Sequence, residues 1–348
     1  MPDRDTEPRL TSLAHGGGCG CKLAPNVLAD ILSEMPLSLG HSDLIVDAGK
    51  SDDAAVYLIN ETTTLVATTD FFTPIVDDPH TFGRIAATNA LSDIFAMGAK
   101  PIFCLAIVGM PIGKIANETI RAILAGGRSV AEAAGAPIAG GHSIDSAEPI
   151  YGLVALGMGH PDKLLLNSNA QAGDVLILGK PLGIGIYSAA LKQELLSPAE
   201  YDEMVASTTR LNSPGTELSE LGDVHAATDV TGFGLLGHAS EMARGAGLQI
   251  VIEKSKVPVF KGARRHAQSG IKTGASGRNW DSVSHMVTGQ MSAMETDLLC
   301  DPQTSGGLLV SCSPEAAHAV LETFRRHGHA DAAIIGRVES GAASIRVE

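Results

Sequence analysis

Two short runs of aliphatic and β-branched residues, Ala54 to Ile59 and Thr63 to Thr68, flank Asn60-Glu61-Thr62 and predict a hairpin, with Asp70 just past its second arm. A helical spacing of apolar residues then runs from about Pro79 to Met97 and stops at Gly98. Within it Asn89 and Asp93, four residues apart, share a face. A strand over Ile102 to Val108, a helix from about Asn117 to Ala134, a short strand running into a Gly140-Gly141-His142-Ser143 turn, and a strand over Tyr151 to Met158 complete an α/β first half. Upstream, Pro25 opens a short amphipathic helix with Val27, Leu28, Ile31 and Leu32 on one side. It would anchor the glycine-rich stretch His15 to Lys22, which reads as a mobile loop.

The polar, turn-rich stretch Pro161 to Gly173 marks a boundary between domains. Beyond it come a strand over Val175 to Leu178, helices from about Ile186 to Leu191, Pro198 to Leu211 and Thr216 to Leu221, and an extended Ala226 to Thr231. A helix over Gly234 to Arg244, a strand over Gln249 to Glu253, a loop near Gly274 to Gly277 and a strand over Gly307 to Ser311 follow. The chain therefore divides into a loop and anchoring helix over 1–48, a first domain over 49–160 and a second over 170–348.

Composition narrows what such a protein does. The 348 residues suit two cores, and a formal charge of −14 argues against broad contact with nucleic acid or anionic lipid. Anionic substrates would need bound cations. Five cysteines in so long a chain do not read as a disulfide framework, and neither an apolar signal core nor a spanning segment is present. A soluble, cytoplasmic protein is expected.

Carboxylates stand where ordinary elements avoid them: Asp52 and Asp53 at a strand start, Asp70 at a strand end, Asp93 inside an Ala-rich helix, and Asp229 before Thr-Gly-Phe-Gly. Each alone reads equally well as a cap or turn former, but acids from separate elements converging on one point would hold magnesium and its phosphates. No G-x-x-x-x-G-K-[ST] segment is present, which disfavours a P-loop NTPase. Gly140-Gly141 and Gly306-Gly307 offer turns whose N–H groups suit phosphate only weakly. The segment Gly232-Phe233-Gly234-Leu235-Leu236-Gly237 spells a dinucleotide fingerprint, yet the half-polar run before it, with Asp229, favours glycines that allow close helix packing.

The thiol segment is the most distinctive. Cys19 lies two residues from Cys21 and three from Lys22, a charge that favours the thiolate, the soft nucleophile suited to sulfur or selenium chemistry. A tail with incidental thiols, a redox dithiol and half of a metal site stay open on the residues alone. Cys104 sits in an apolar strand and reads as core, while His15 and His142 could serve as ligands or bases, although a lone His is more often structural or solvated.

Taken together, His15 to Lys22, Asp52 to Tyr57, Thr68 to Phe72, Gly83 to Gly98, Gly140 to Asp145, Thr228 to His238 and Leu298 to Gly307 resemble selenophosphate synthetases in the family's order. Single pieces are shared with aminoimidazole ribonucleotide synthetases, thiamine monophosphate kinases and hydrogenase-maturation dehydratases, whereas H-G-x-G-C-G-C-K marks the selenium branch. The resemblance implies a two-domain α/β (α+β) fold whose N-terminal domain pairs in a homodimer to close a β-barrel. It implies conversion of ATP, selenide and water to selenophosphate, AMP and phosphate, with Mg2+ as cofactor and room for a selenium-delivery protein. Carried over by position, Cys19 and Lys22 are catalytic, and Asp53, Asp93 and Asp229 are magnesium ligands. Lys22, Lys50, Ser51, Asp52, Asp70, Asp93, Gly141, His142 and Ser143 fall at nucleotide positions. Asp301 to Gly307 matches a family element without an assigned role. The alternatives are another ATP-dependent synthetase or kinase of that superfamily, or a non-catalytic selenium or metal carrier.

Overall fold

The computed structural model describes residues 7–14, 16–22, 27, 31, 41–46 and 52–348. Apart from Val27 and Ile31, the helix expected after Pro25 lies outside the described residues. Six strands form the first sheet: β1 (Leu44–Val46), β2 (Ala55–Asn60), β3 (Thr63–Phe72), β4 (Lys100–Met110), β5 (Ile138–Asp145) and β6 (Ile150–Gly159), in the order β1-β2-β3-β6-β4-β5. The hairpin between β2 and β3 turns at Glu61-Thr62, where Asn60 Oδ1 accepts the Thr62 N–H at 3.0 Å and folds the chain back on itself.

The Pro79–Ala96 helix starts where expected because Asp78 caps it, accepting the Thr81 N–H at 2.7 Å, and Pro79 supplies the first-turn φ. It is buried on nearly every side, which a helix wedged between two layers must be. One side packs on the first sheet. The other meets the second domain, where Asn212 donates to the Ser92 hydroxyl at 2.7 Å and Thr216 to the Ala99 carbonyl at 2.6 Å. This central helix thereby carries Asn89, Ser92 and Asp93 into the seam between the domains.

The 3-10 turns Pro161–Lys163 and Asn167–Asn169 lead to the second sheet. Its strands are β7 (Val175–Leu178), β8 (Val224–Asp229), β9 (Gln249–Ile252), β10 (Val287–Thr288), β11 (Leu308–Cys312), β12 (Ala333–Glu339) and β13 (Ser344–Val347), ordered β10-β13-β9-β12-β7-β11-β8. Pairing is mixed: β13 runs parallel to β9 and β10, and the rest are antiparallel. β8 ends at Asp229, pointing this carboxylate at the central helix.

Two local readings are corrected. Gly140 to Ser143 do not turn; they continue β5, the exposed edge strand that among the described residues pairs only with β4. Glycine in an edge strand still looks like a turn in sequence, because the partner that straightens it is remote. Gly274 to Gly277 are not loop but the first turn of a helix, Gly274–Val283, capped by Thr273 and held by its buried Ala275, Asn279 and Val283. Packing there overrides poor helix propensity. Among the described residues the first sheet does not close into a barrel. Its outer face is open and apolar, with Tyr57, Phe71, Leu105 and Met158 exposed.

Candidate active site

Three parts of the chain bring the acids together. Asp53 lies just before β2, Asp93 on the central helix, and Asp229 at the end of β8, and one oxygen from each lies within 4.8 Å of the others. Thr228 donates to Asp53 Oδ1 at 2.8 Å, Thr68 of β3 donates to Asp93 Oδ2 at 2.5 Å, and the Ser92 hydroxyl bonds Asp229. Asp53 Oδ2 and Asp229 Oδ2 are buried without a hydrogen-bond partner. Burial, and then the facing carboxylates, push the Asp53 and Asp93 carboxyls well above the usual range, and burial raises Asp229. Repelling carboxylates with bare inward oxygens suit a hard divalent cation, which satisfies the oxygens and removes the repulsion.

Beside this trio, the alternation of β3 turns Asp70 inward, where it is 7% exposed. Its Oδ2 accepts Lys22 Nζ at 3.0 Å and Asn89 Nδ2 at 2.6 Å. Asn89 Oδ1 in turn accepts the Ser305 N–H at 2.7 Å, and the Ser305 carbonyl accepts Lys180 Nζ at 2.8 Å. Lys180, 1% exposed, also donates to the Arg210 carbonyl at 2.7 Å. Burial lowers its ammonium to about 7, with the Arg210 charge adding to the effect. Ser305 sits at φ 51°, a left-handed position rare for a side chain other than glycine's, so this chain of bonds holds a strained turn in place. Sequence reasoning passed over Lys180; the available signal was a lysine between Gly179 and Pro181 at the end of an apolar strand.

The N-terminal segment Gly16–Lys22 lies across this seam. Gly18 and Cys21 bound a short 3-10 turn, the Gly18 N–H donates to the Thr73 carbonyl at 3.0 Å, and Gly18 has φ 55°. A Cβ there would come within 2.2 Å of Thr304 Oγ1, so only glycine allows the loop to lie this close. Lys22 then reaches Asp70. The backbone of Cys19 is in the turn, while the side chains of Cys19 and Cys21 lie outside the described residues, as do His15, Lys50 and Ser51.

Other expected residues are not drawn together. Asp52 Oδ1 accepts the Asn167 N–H at 2.7 Å and ties the first domain to the inter-domain turns. Gly141, His142 and Ser143 stand on β5, three strands from β3. At about 4.8 Å per strand that is roughly 14 Å across the sheet from Asp70. They line a separate cavity of about 530 Å³ with Arg128 and Leu124. Asp301 Oδ2 accepts the Gly185 and Ile186 N–H groups, and Gln303 Oε1 those of Gly183 and Ile184. The start of the Ile184–Lys192 helix is thus capped by protein rather than left for phosphate, and burial pushes Asp301 up to about 8. Gly234, at φ 72°, would drive a Cβ to 2.7 Å from the Cys300 carbonyl carbon, so the glycine fingerprint serves packing. Its strand, β8, is antiparallel to β11, its one neighbour among the described residues, rather than part of a parallel βαβ unit. Cys104 is buried, with its thiol pushed up to about 11.

Residues 51–159 match the family described as AIR synthase related protein, N-terminal domain, and residues 171–348 match its C-terminal domain. A selenide, water dikinase of Pseudomonas straminea is 58% identical over 348 residues, covering 99% of this chain and 97% of the relative. The chain belongs to the selenide, water dikinase family. A second selenide, water dikinase, from Paraburkholderia xenovorans (strain LB400), is 56% identical over 344 residues, 98% of this chain and 97% of the relative. The fold extends beyond the dikinases. Hydrogenase maturation protein HypE in complex with ATP aligns with a TM-score of 0.66 at 21% identity over 98% of this chain and 94% of the other. Thiamine-monophosphate kinase from Stenotrophomonas maltophilia K279a aligns with a TM-score of 0.65 at 19% identity over 94% and 96%.

Proposed function

We infer that this protein makes selenophosphate from selenide, ATP and water, releasing AMP and phosphate. The observation that carries the reading is the meeting of the Asp53, Asp93 and Asp229 carboxylates beside the Lys22–Asp70 pair. Those three acids would hold Mg2+, which neutralises polyphosphate oxygens when bound. Lys22 lies on a loop over the seam, so its ammonium balances charge on the phosphoryl group as the bond to the β-phosphate oxygen breaks and the selenium–phosphorus bond forms. Asp70 aims Lys22, and Asn89 fixes Asp70. The remaining ADP is hydrolysed by water to AMP and phosphate. Cys19 sits in the turn that brings Lys22 over the seam, the position from which a thiolate would deliver or position selenium.

Phosphorus NMR under anaerobic, reducing conditions tests this directly. With Mg-ATP and selenide the protein is expected to yield AMP, phosphate and a phosphorus–selenium species, and none of the three without selenide. ADP as sole product would shift the assignment to a sister kinase.

The open outer face of the first sheet supports a homodimer in which a second copy covers Phe71, which is 47% exposed, and its apolar neighbours. Such pairing would bring the β5 edge, with Gly141, His142 and Ser143, toward the partner. Phe71→Glu is expected to turn a dimer into a monomer in sedimentation; a monomeric parent protein removes the dimer from this reading. Among the described residues no helix is long and apolar enough to cross a membrane.

A further inference from the structure

On the side of the Gly16–Lys22 loop that faces the second domain lies a cavity of about 350 Å³. Gly16, Gly17 and Gly20 form one wall, Pro302 and Thr304 another, and the start of the Gly274–Val283 helix contributes Gly274 and Ala275. Its charged lining is wholly basic among the described residues: Lys192 and Arg278. Three other cavities each carry a carboxylate beside their basic group, as Glu132 does beside Arg128. In a chain with 39 acidic and 25 basic residues, a cavity bare of acids is a local reversal of sign.

Both cations also grip the loop. Lys192 Nζ donates to the Gly16 carbonyl at 3.1 Å and Arg278 Nη2 to the Gly20 carbonyl at 3.4 Å, so the two contacts bracket Cys19 in the chain. The loop therefore acts as a partition, with the carboxylates and the Lys22–Asp70 pair on one side and a cationic cavity on the other. Selenide at neutral pH is chiefly the monoanion HSe−, which the carboxylate side repels. No carboxylate stands among the described lining residues, Asp301 lying behind Gly185, where its Oδ2 accepts the Gly185 N–H; the positive end of the Gly274–Val283 helix adds to the attraction.

We propose that this cavity is the binding vestibule for the selenium substrate, taking HSe− as an anion between Lys192 and Arg278 and passing it across the loop at Cys19. The proposal rests on the dikinase reading above. It divides the two anionic substrates between the two faces of the loop: nucleotide with its metal on the acidic face, selenide on the basic one.

The test is steady-state AMP formation with selenide varied at saturating Mg-ATP, then ATP varied at saturating selenide, for the parent protein and for Lys192→Gln, Arg278→Gln and the double variant. Both side chains are exposed, so the fold tolerates the change. The double variant is expected to raise the KM for selenide about tenfold while the KM for ATP moves less than about twofold. Added salt should weaken selenide use by the parent protein more than by the variant. Lys192→Arg and Arg278→Lys, which keep the charge, should restore the KM. An unchanged KM for selenide overturns the proposal. So does a matching rise in the KM for ATP, which would make the cavity a nucleotide site, or a fall in turnover at constant KM, which would reduce the two cations to loop clamps. Lack of selenide-dependent AMP in the parent protein would instead overturn the dikinase reading itself.

Discussion

Asp53→Asn is expected to lose selenide-dependent turnover by about a thousandfold while making the metal-free protein more stable. Both effects follow from one contact. Asp53 Oδ2 is buried, faces two other carboxylates and has no hydrogen-bond partner. An asparagine amide in its place would donate to those carboxylates instead of repelling them, for a gain of ~1–2 kcal/mol of the kind that follows relief of a strained functional site. The pH dependence separates this from generic stabilisation. The Asp53 carboxyl is raised well above its ordinary range by burial and then by Asp229, so the folded protein holds this proton more tightly than the unfolded chain. Stability from that group is present at low pH and is lost as pH rises through the folded pKa. Metal-free parent protein should therefore lose stability from acid toward neutral pH more steeply than the variant. Added Mg2+ should reverse the ranking, raising the melting temperature of the parent and leaving the variant unmoved. A variant still stabilised by Mg2+ would remove Asp53 from the metal site.

From spacing alone this site was visible as isolated acids, and only the family resemblance joined Asp53, Asp93 and Asp229 into one. The hairpin arms and the central helix were legible because their signals are local: Asn60 at the turn, Asp78 and Pro79 at the helix start, Gly98 at its stop. Asn89 and Asp93 could be placed on one face from spacing alone. That Asp229 meets them came only from the family resemblance and not from spacing, since the second domain must first dock on the central helix through contacts such as Asn212 to Ser92. The same limit hid Lys180, whose burial is a property of the assembled seam. Gly140 to Ser143 and Gly274 to Gly277 misled in the opposite direction: local glycine favours a turn, and a remote strand or an apolar helix face decides otherwise. Likewise β12 and β13 went unassigned. They pair with β9 across long stretches of chain, and although Ser340-Gly341 marks a turn between them, their short apolar runs show no partner nearby in sequence.

Lys180→Met is expected to cost ~2–4 kcal/mol, since it strands the Ser305 and Arg210 carbonyls in a buried seam. The loss should grow with pH. Burial lowers the Lys180 ammonium from 10.5 to about 7, so between those values the unfolded chain binds the proton and the folded protein does not. Folding of the parent protein therefore gains stability as pH rises through that window, a gain methionine cannot make. Urea unfolding at pH 6.5 and pH 9 should show the larger difference between parent and variant at pH 9; equal differences would mean that Lys180 acts only by packing. Turnover should fall as well, because the Ser305 turn at φ 51° is held through Lys180. Once that turn relaxes, Asn89 loses the Ser305 N–H, Asp70 loses a fixed neighbour, and Lys22 loses its aim at the phosphoryl group. A residue that touches no reacting atom thereby sets the position of one that does.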